Sequence, residues 1–516
     1  MERSSEATIE KTGLGSSVGH SLRWSYGTVA ANFVLQFIIA ASLARLLDPA
    51  AYGMIAIANT VVRCLQNVTD LGISSTVIQK AEFRRNDDAA LLFVLACGAN
   101  LLLMAVVWAA APWLLSMVPN ASTSPATMMV LRVMSLGALF TGMAQVASGL
   151  MGRDLDFRRL GLYGMAGLLV GQCGVAIPLA ALGLGVWSLV AGSLVQVATV
   201  SLLTLLRVRH PLWPRRLHQG VGALLGLGSR YFAVRLLDAI SLYIPPFAVA
   251  TLAGLTAAGL YDRAFILACM PINVLIHGLS RVLFATFSRL QHQPTRLPGA
   301  YLSVLMLGVC LLAPLSAGMA VAAPELIQTM LGGTWTAAAG PFAWLSLWAL
   351  LRSFIHYPAA ICEACGRLRQ RIGQELVYLA AMIAGLVLVR PSDAVGVLQV
   401  VTAVELLNVV ALHVIVGQFL QVRFYAVVEC FAVAVPPTVV VGGGIALMLR
   451  ALGPHVPMPL ALLAAMATGG ILLGLSLALH PSRHLRHEVG TRVMGDMLGV
   501  SVETPGWLGR LRRFLG

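Results

Sequence analysis

Long apolar runs recur along almost the whole chain of 516 residues, and they constrain its fold more than any other feature. Each run is about 20 residues long, the length that a helix needs to cross roughly 30 Å of hydrocarbon. Only 11% of the residues are charged and 58% are hydrophobic. A soluble domain is excluded, because its core must be wrapped in a polar shell. The chain is therefore predicted to be an all-α integral membrane protein.

Charged residues and Gly or Pro breaks divide these runs into fourteen predicted spans. The predicted spans are residues 24–46, 51–73, 89–111, 125–149, 161–182, 186–206, 223–251, 257–285, 300–322, 339–363, 372–390, 394–417, 427–449 and 458–480.

Basic residues concentrate in alternate loops, for example around Arg153 and Arg367, whereas the opposite loops hold only Arg45, Arg390 and Arg450. Lys and Arg are retained on the cytoplasmic side of a membrane. Both termini are therefore predicted to be cytoplasmic, in a multi-pass protein of the inner (cytoplasmic) membrane. The same asymmetry accounts for the net charge of +14 without nucleic acid.

An internal repeat appears when the sequence is shifted by 206 residues. Residues 47–53 then fall on residues 253–259, and Asn67 falls on Asn273. Because the shift equals six spans, the two halves have the same topology, as in transporters built from parallel repeats. Channels are also built from repeats, so this pattern alone does not establish transport.

The repeat divides the chain into two pseudo-symmetric six-helix lobes followed by two further helices. The predicted domains are a cytoplasmic N-terminal segment (1–23), a first lobe (24–206), a cytoplasmic linker (207–222), a second lobe (223–417), two C-terminal spans (427–480) and a basic amphipathic cytoplasmic tail (481–516).

Three segments beside the predicted spans resemble motifs of one known family. They are residues 43–53 between the first two spans, residues 152–159 after the fourth span, and residues 257–264 at the start of the eighth. On these segments the chain resembles the polysaccharide transporter family of the multidrug/oligosaccharidyl-lipid/polysaccharide exporter superfamily. It looks most like the flippases that serve colanic-acid- and xanthan-type exopolysaccharides. Asp262 stands where relatives more often have a small residue, which leaves the ionic chemistry at that position open.

The resemblance implies a V-shaped transporter that moves undecaprenyl-pyrophosphate-linked oligosaccharide from the cytoplasmic to the periplasmic leaflet by alternating access. Its expected partners are that lipid-linked oligosaccharide, the surrounding lipids, and a polysaccharide polymerase with its export machinery. A cation-coupled multidrug exporter and a peptidoglycan-precursor flippase are alternatives within the same class. A membrane glycan polymerase or lipid-sugar transferase is the alternative from a different class.

Motifs for other chemistry are missing from the sequence. A nucleotide-binding P-loop needs a glycine-rich loop ending in Lys-Ser or Lys-Thr, and neither Lys11 nor Lys80 has that context. Cys362 and Cys365 form a CxxC, but no further ligands follow at the spacing of a zinc site. No catalytic residue, metal site or cofactor is therefore expected.

Cationic side chains within the spans are the candidates for binding a pyrophosphate and its sugars, because intramembrane ionisable residues usually face a cavity. Arg230 and Arg281 could instead extend to lipid headgroups, and Arg235 could pair with Asp238 three residues away. Arg352 and His356 are expected to share a helix face. The candidate substrate-binding residues are Arg23, Arg63, Arg230, Arg235, Arg263, Arg281, Arg352 and His356.

Carboxylates within the spans are the candidates for coupling transport to a gradient of protons or sodium ions. A hydrogen-bonded structural carboxylate is the alternative interpretation of each, and His413 is expected to serve packing. The candidate coupling residues are Asp238, Asp262, Glu375 and Glu405.

Overall fold

A computed structural model describes most of the membrane-spanning part of the chain. It covers residues 32 and 34–69, single residues 73, 77, 211 and 213, and residues 87–118, 125–154, 156–209, 229–290, 297–364, 366–452 and 456–478. The predicted N-terminal segment, the C-terminal tail and nearly all of the predicted linker lie outside the described residues. Within the described part every regular element is a helix.

Fourteen helices of the described part correspond in order to the fourteen predicted spans. Among the described residues, eleven helical segments are long and apolar enough to cross a membrane, and one of these, Leu236–Ile276, includes parts of two helices. The helices are α1 (Val34–Leu46), α2 (Pro49–Thr69), α3 (Asp87–Ser116), α4 (Pro125–Arg153), α5 (Phe157–Ala181), α6 (Val186–Val208), α7 and α8 (229–253 and 255–290), α9 (Leu297–Val321), α10 (Gly333–Cys362), α11 (Leu368–Val389), α12 (Ala394–Leu420), α13 (Phe424–Leu452) and α14 (Met458–Ala478).

Left-handed residues set several of the tight turns between neighbouring helices. Gly254, at φ 86°, separates α7 from α8 within a single helical segment. Gly183 and Gly185 lie between α5 and α6, with φ of 82° and 57°. Arg390, at φ 48°, caps the end of α11. Glycine adopts this conformation at little steric cost, so short glycine turns suffice to reverse the chain.

Packing divides the chain into two compact units at Arg263. The first unit contains Met1–Arg263 with Ser392–Ala394, and the second contains Ala264–Pro391 with Val395–Gly516. This division differs from the lobe limits inferred from the repeat, because α7 and the first turns of α8 pack within the first unit. The predicted lobe limits stay a prediction.

The first turns of α2 and α8 contact each other through two glycines at equivalent positions of the repeat. A Cβ on Gly53 would lie 1.8 Å from the carbonyl oxygen of Leu255, and one on Gly259 would lie 2.0 Å from that of Pro49. A shift of 206 residues converts one contact into the other. The two helix starts are therefore packed backbone to backbone about a local pseudo-two-fold axis, as the repeat predicts.

Glycines also bring α5 and α6 together. A Cβ on Gly171 would lie 2.5 Å from the oxygen of Gly192, and one on Gly192 would meet the Cβ of Ala176 at the same distance. Small residues allow this approach in membranes, where packing replaces the hydrophobic effect between helices. Residues Leu168–Ala176 of α5 adopt a π-helical conformation. Across this interface the Gln172 amide donates to Oε1 of Gln196 at 2.8 Å.

Substitution of Gly259 tests the contact between α2 and α8. We expect Gly259→Ala to destabilise the protein by about 1–3 kcal/mol, because the new methyl must displace the backbone of Pro49. The melting temperature of the purified protein in detergent should fall. Gly299→Ala is the matched control, since a Cβ there meets no described atom within 4 Å and alanine favours a helix. Equal melting of the two variants would contradict the packing described.

Candidate functional site

One face of α11 carries polar side chains into the interior of the second unit. Arg371, Gln374, Glu375 and Tyr378 have the spacing i, i+3, i+4 and i+7, which places them on one side of a helix. All four are buried. The opposite face, with Val377 and its neighbours, is apolar and exposed, as expected where a helix meets lipid. The polar face must therefore find its hydrogen-bond partners within the protein.

The partners of α11 are its own residues and α12. Arg371 Nη1 donates to Glu375 Oε2 at 2.8 Å and to the amide oxygen of Gln374. The Gln374 amide donates to Asn408 Oδ1 on α12. The Tyr378 hydroxyl donates to Glu405 Oε2, also on α12. These contacts form two neighbouring groups, one around Glu375 and one around Glu405, and we treat them together as a polar network inside otherwise apolar spans.

Arg352 of α10 completes this network. Its Nη1 lies 3.4 Å from Glu405 Oε1, and its guanidinium lies 6.0 Å from the centre of the Tyr378 ring. The Arg352 side chain is 15% exposed, whereas Glu405 is 0% exposed. We name Arg352, Arg371, Gln374, Glu375, Tyr378, Glu405 and Asn408 the α10–α12 network.

The α10–α12 network contains equal numbers of cationic and anionic side chains. Glu375 faces Arg371, and Glu405 faces Arg352, so each carboxylate already has a cation beside it. Burying an unpaired charge in a membrane is costly, and pairing lowers that cost. A metal cation at either carboxylate would have to displace an arginine. Among the described residues no cluster of three or more His, Cys, Asp or Glu is placed to hold a metal ion.

Another ion pair lies in the first unit, at the start of α8. Arg263 Nη2 is 2.5 Å from Oδ2 of the neighbouring Asp262, and its Nε donates to the same oxygen at 3.0 Å. The guanidinium also lies over the Tyr52 ring, 4.3 Å from its centre. Asp262, which stands where relatives more often have a small residue, therefore forms an ion pair with the neighbouring Arg263. Both side chains stay partly exposed, at 15% and 23%.

The other predicted substrate-binding residues are more scattered. Arg63 is exposed on α2, where its carbonyl accepts the Asn67 amide. Asp238, a predicted coupling residue, is half-buried on α7. Arg23 and the side chains of Arg230, Arg235 and Arg281 lie outside the described residues.

The expected pairing of Arg352 with His356 on one helix face is wrong. The helix is interrupted by a turn at Phe354 and Ile355, and a new helical segment begins at His356. His356 is exposed, whereas Arg352 points toward Glu405. The α-helical spacing of four residues does not apply across such a break.

Sequence reasoning missed four of the seven residues of the α10–α12 network. It assigned Arg371 to a basic loop, but α11 begins at Leu368 and buries that arginine in its first turn. Gln374, Tyr378 and Asn408 were not considered, because they carry no charge. The spacing of polar residues along the start of α11 was the available signal.

Two further polar residues, the buried His413 and the half-buried Arg132, have structural roles. The His413 ring lies 5.9 Å from that of Phe431 and 6.2 Å from that of Tyr301, so it packs among aromatic residues as expected. Arg132, which the sequence analysis did not consider, joins α3 to α4. Its Nη2 donates to the Trp108 carbonyl at 3.4 Å, and the Trp108 indole donates back to the Arg132 carbonyl at 3.2 Å.

Comparison with known sequences confirms the family resemblance. A family model described as polysaccharide biosynthesis protein matches residues 42–340. The chain is 28% identical over 345 residues to the succinoglycan biosynthesis transport protein ExoT of Rhizobium meliloti (strain 1021), covering 66% of this chain and 67% of that protein. It is 22% identical over 380 residues to the lipopolysaccharide biosynthesis protein WzxC of Escherichia coli (strain K12), covering 71% and 74%.

Solved structures confirm the fold. The structure titled lipid II flippase MurJ, inward closed conformation, matches with a TM-score of 0.70 and 10% identity, covering 92% of this chain and 99% of that one. An inward-facing MATE family transporter of the MOP superfamily matches with a TM-score of 0.60 and 15% identity, covering 77% and 96%. At these identities the likeness establishes the fold alone.

Neutralising Glu375 tests whether its ion pair with Arg371 stabilises the protein. We expect Glu375→Gln to destabilise the protein by about 3–5 kcal/mol, because Arg371 then keeps a buried charge without its carboxylate. The double variant Arg371→Gln, Glu375→Gln should recover much of that loss. Arg369→Ala, at an exposed position of the same helix, is the control. Thermal melting in detergent measures all three, and a double variant no better than Glu375→Gln would contradict the interpretation.

Proposed function

The chain belongs to the family described as polysaccharide biosynthesis protein, and from that premise we propose that it is a flippase for lipid-linked oligosaccharides. It moves undecaprenyl-pyrophosphate-linked repeat units from the cytoplasmic to the periplasmic leaflet for exopolysaccharide synthesis. The observation that carries the proposal is an arginine within α10, Arg352, that is held by a carboxylate yet stays partly exposed. A cation in this position is suited to an anionic headgroup passing through an apolar bundle.

The membrane orientation is part of the proposal. Basic residues in alternate loops favour cytoplasmic termini in a bacterial inner membrane. The turns before α2 and after α7 then face the periplasm. The glycine contact between α2 and α8 would thus lie near the periplasmic side, and it must separate when the headgroup leaves.

Arg352 is proposed to hold the pyrophosphate. A guanidinium can form two parallel hydrogen bonds with phosphate oxygens, and these bonds are strong because both partners are charged. In the described state Glu405 takes the place of the phosphate at 3.4 Å. An arriving headgroup would exchange one anion for another, so Arg352 would not have to be unpaired at any stage. Arg263, paired with Asp262 and partly exposed, is the corresponding candidate in the first unit.

Proton coupling is proposed to follow from this exchange. When Arg352 turns to the pyrophosphate, the buried Glu405 loses its cation, and protonation is the cheapest way to remove its charge. The carboxyl group can still bond to the Tyr378 hydroxyl. Because both buried carboxylates face arginines, this arrangement favours a proton over a sodium ion. Asp238 remains a candidate for coupling, and partnership with a polymerase remains part of the proposal.

Reconstitution tests the proposed function. Purified protein in liposomes should move fluorescent undecaprenyl-pyrophosphate oligosaccharide to the opposite leaflet, measured by its accessibility to a membrane-impermeant quencher. Absence of movement by folded protein under any imposed gradient would overturn the flippase proposal. Preferential movement of the peptidoglycan precursor or of a cationic drug would show that the proposed substrate is wrong. Formation of new glycosidic bonds would show that the protein is an enzyme and not a transporter.

Arg352 itself is tested by a neutral variant. We expect Arg352→Gln, combined with Glu405→Gln so that no buried charge is left unpaired, to slow flipping by about tenfold or more, the value of a charge-assisted hydrogen bond. Arg369→Gln is the matched control. Flipping by the double variant at the wild-type rate would show that Arg352 does not bind the substrate, and the flippase proposal itself would still stand.

The coupling ion is tested by imposed gradients. We expect a pH gradient to change the flipping rate of the wild-type protein several-fold and a sodium gradient of equal size to leave it unchanged. In Glu405→Gln the response to pH should be lost, because the amide does not titrate. A sodium response, or an intact pH response in that variant, would contradict coupling through Glu405.

A further inference from the structure

Five polar side chains of the first unit lie together along the membrane-spanning helices. Arg63, Gln66 and Asn67 have the spacing i, i+3 and i+4 on α2, which places them on one face of that helix. Thr141 of α4 contacts this face, because the Gln66 amide donates to its hydroxyl oxygen at 3.4 Å. The Tyr243 hydroxyl of α7 lies beside the Asn67 side chain. We name these five residues the α2–α4–α7 polar surface.

The depth of this surface follows from the glycine contact between α2 and α8. Arg63 follows Gly53 by ten residues, and Tyr243 precedes Leu255 by twelve. A helix rises about 1.5 Å per residue, so both residues lie about 15–18 Å from that contact along their helix axes. The hydrocarbon core of a bilayer is roughly 30 Å thick. The surface is therefore close to the membrane midplane, where transporters built from repeats hold their substrates.

Exposure of these side chains indicates that they line a water-filled space. Arg63, Asn67 and Thr141 are exposed. Gln66 and Tyr243 are half-buried. Lipid tails offer no hydrogen-bond partner, so exposed polar groups at this depth face water or a ligand. The first three turns of α2 are largely buried in the protein, which fits a helix of the bundle interior.

The polar surface retains capacity for further hydrogen bonds. A side-chain amide has two N–H donors and an acceptor oxygen. Gln66 uses one donor on Thr141, and Asn67 uses one on the Arg63 carbonyl at 2.8 Å. Among the described residues no carboxylate pairs with the Arg63 guanidinium, whereas Arg263 and Arg352 each have one. The surface thus offers neutral donors and acceptors beside one cation without a counter-ion.

We propose that the α2–α4–α7 polar surface binds the sugars of the lipid-linked oligosaccharide. Sugar hydroxyls donate and accept hydrogen bonds, as do the amides of Gln66 and Asn67 and the hydroxyls of Thr141 and Tyr243. Arg63 donates to an anionic oxygen of the same headgroup, from a sugar carboxylate or from the pyrophosphate. The inference rests on the proposed function, because it assigns part of that substrate to these residues.

The internal repeat does not reproduce this surface. The shift of 206 residues places Cys269 opposite Arg63 and Ile272 opposite Gln66. The glycine contact, in contrast, is present in both halves. Residues that serve the packing shared by the two halves are expected in both, so the arginine and the glutamine have another role. This difference supports sugar binding by the first unit.

Binding of defined lipid-linked glycans tests the proposal on the full chain. Native mass spectrometry of the detergent-purified protein would compare undecaprenyl pyrophosphate, the same lipid linked to a neutral tetrasaccharide, and that conjugate with a terminal glucuronate. We expect both glycan conjugates to bind several-fold more tightly than the sugar-free lipid. The double variant Gln66→Ala, Asn67→Ala should lose this preference and bind the sugar-free lipid as the wild type does. Gln328→Ala, at an exposed amide between α9 and α10, is the matched control.

Thr141→Val is a second variant, and it retains the shape of the side chain. It should also reduce the preference for the glycan conjugates, because the hydroxyl is lost. Melting temperatures equal to that of the wild type establish that the variants are folded. Equal binding of the three lipids by the wild-type protein would overturn the proposal, as would an intact preference in the double amide variant.

Arg63→Gln tests the anionic contact. We expect binding to weaken by about tenfold, the value of a charge-assisted hydrogen bond. A loss confined to the glucuronate conjugate identifies a sugar carboxylate as the ligand of Arg63, and an equal loss for all three lipids identifies the pyrophosphate. Unaltered binding of all three would contradict the role of Arg63. Because no transport is measured, a protein that binds the glycan conjugates and does not flip them would contradict the proposed function alone.

Discussion

A charge inside a membrane-spanning bundle is tolerated only where another group in the protein balances it, and this constraint organises the second unit. Burying an arginine or a glutamate alone costs several kcal/mol. In the second unit, Arg371 lies beside Glu375 and Arg352 lies beside Glu405, so each charge has a partner of opposite sign. The Gln374 amide and the Tyr378 hydroxyl of α11 supply further hydrogen bonds, to Arg371 and Asn408 and to Glu405. Helices that the bilayer alone would leave free to slide are thereby held in one register.

The first unit relies on close backbone contacts between helices in addition to its ion pair between Asp262 and Arg263. Gly53 and Gly259 let the starts of α2 and α8 meet at their backbones, and Gly171 and Gly192 do the same for α5 and α6. Such contacts depend on the absence of a side chain, so they can separate without leaving a buried charge unpaired. Under the proposed function, that property suits a contact that opens during transport, whereas the α10–α12 network suits a part of the bundle whose charges stay balanced.

The sequence predicted the spans, their order and the repeat, because hydropathy and helix length are properties of single segments. It also identified Arg352, Glu375 and Glu405 as intramembrane charges. It did not predict which charge pairs with which, since pairing depends on how α10, α11 and α12 pack. Arg371 was assigned to a loop because a basic residue near a span end is normally retained outside the bilayer. The break at Phe354 likewise has no hydropathy signal, and it separated His356 from Arg352.

The two helix pairs α5–α6 and α11–α12 occupy corresponding places in the repeat, yet they are joined by different chemistry. Gln172 and Gln196 connect the first pair through a neutral amide bond. The second pair has an amide bond as well, between Gln374 and Asn408, but it is also joined by the bond from Tyr378 to Glu405, and the other oxygen of Glu405 faces Arg352 of α10. A repeat needs only equal helix lengths and turns to fold alike, so its halves are free to differ in charge. A neutral amide bond cannot exchange an anion or a proton, and an arginine–carboxylate pair can do both. Under the proposed function, this asymmetry supports the second unit as the place where substrate binding and proton binding are coupled.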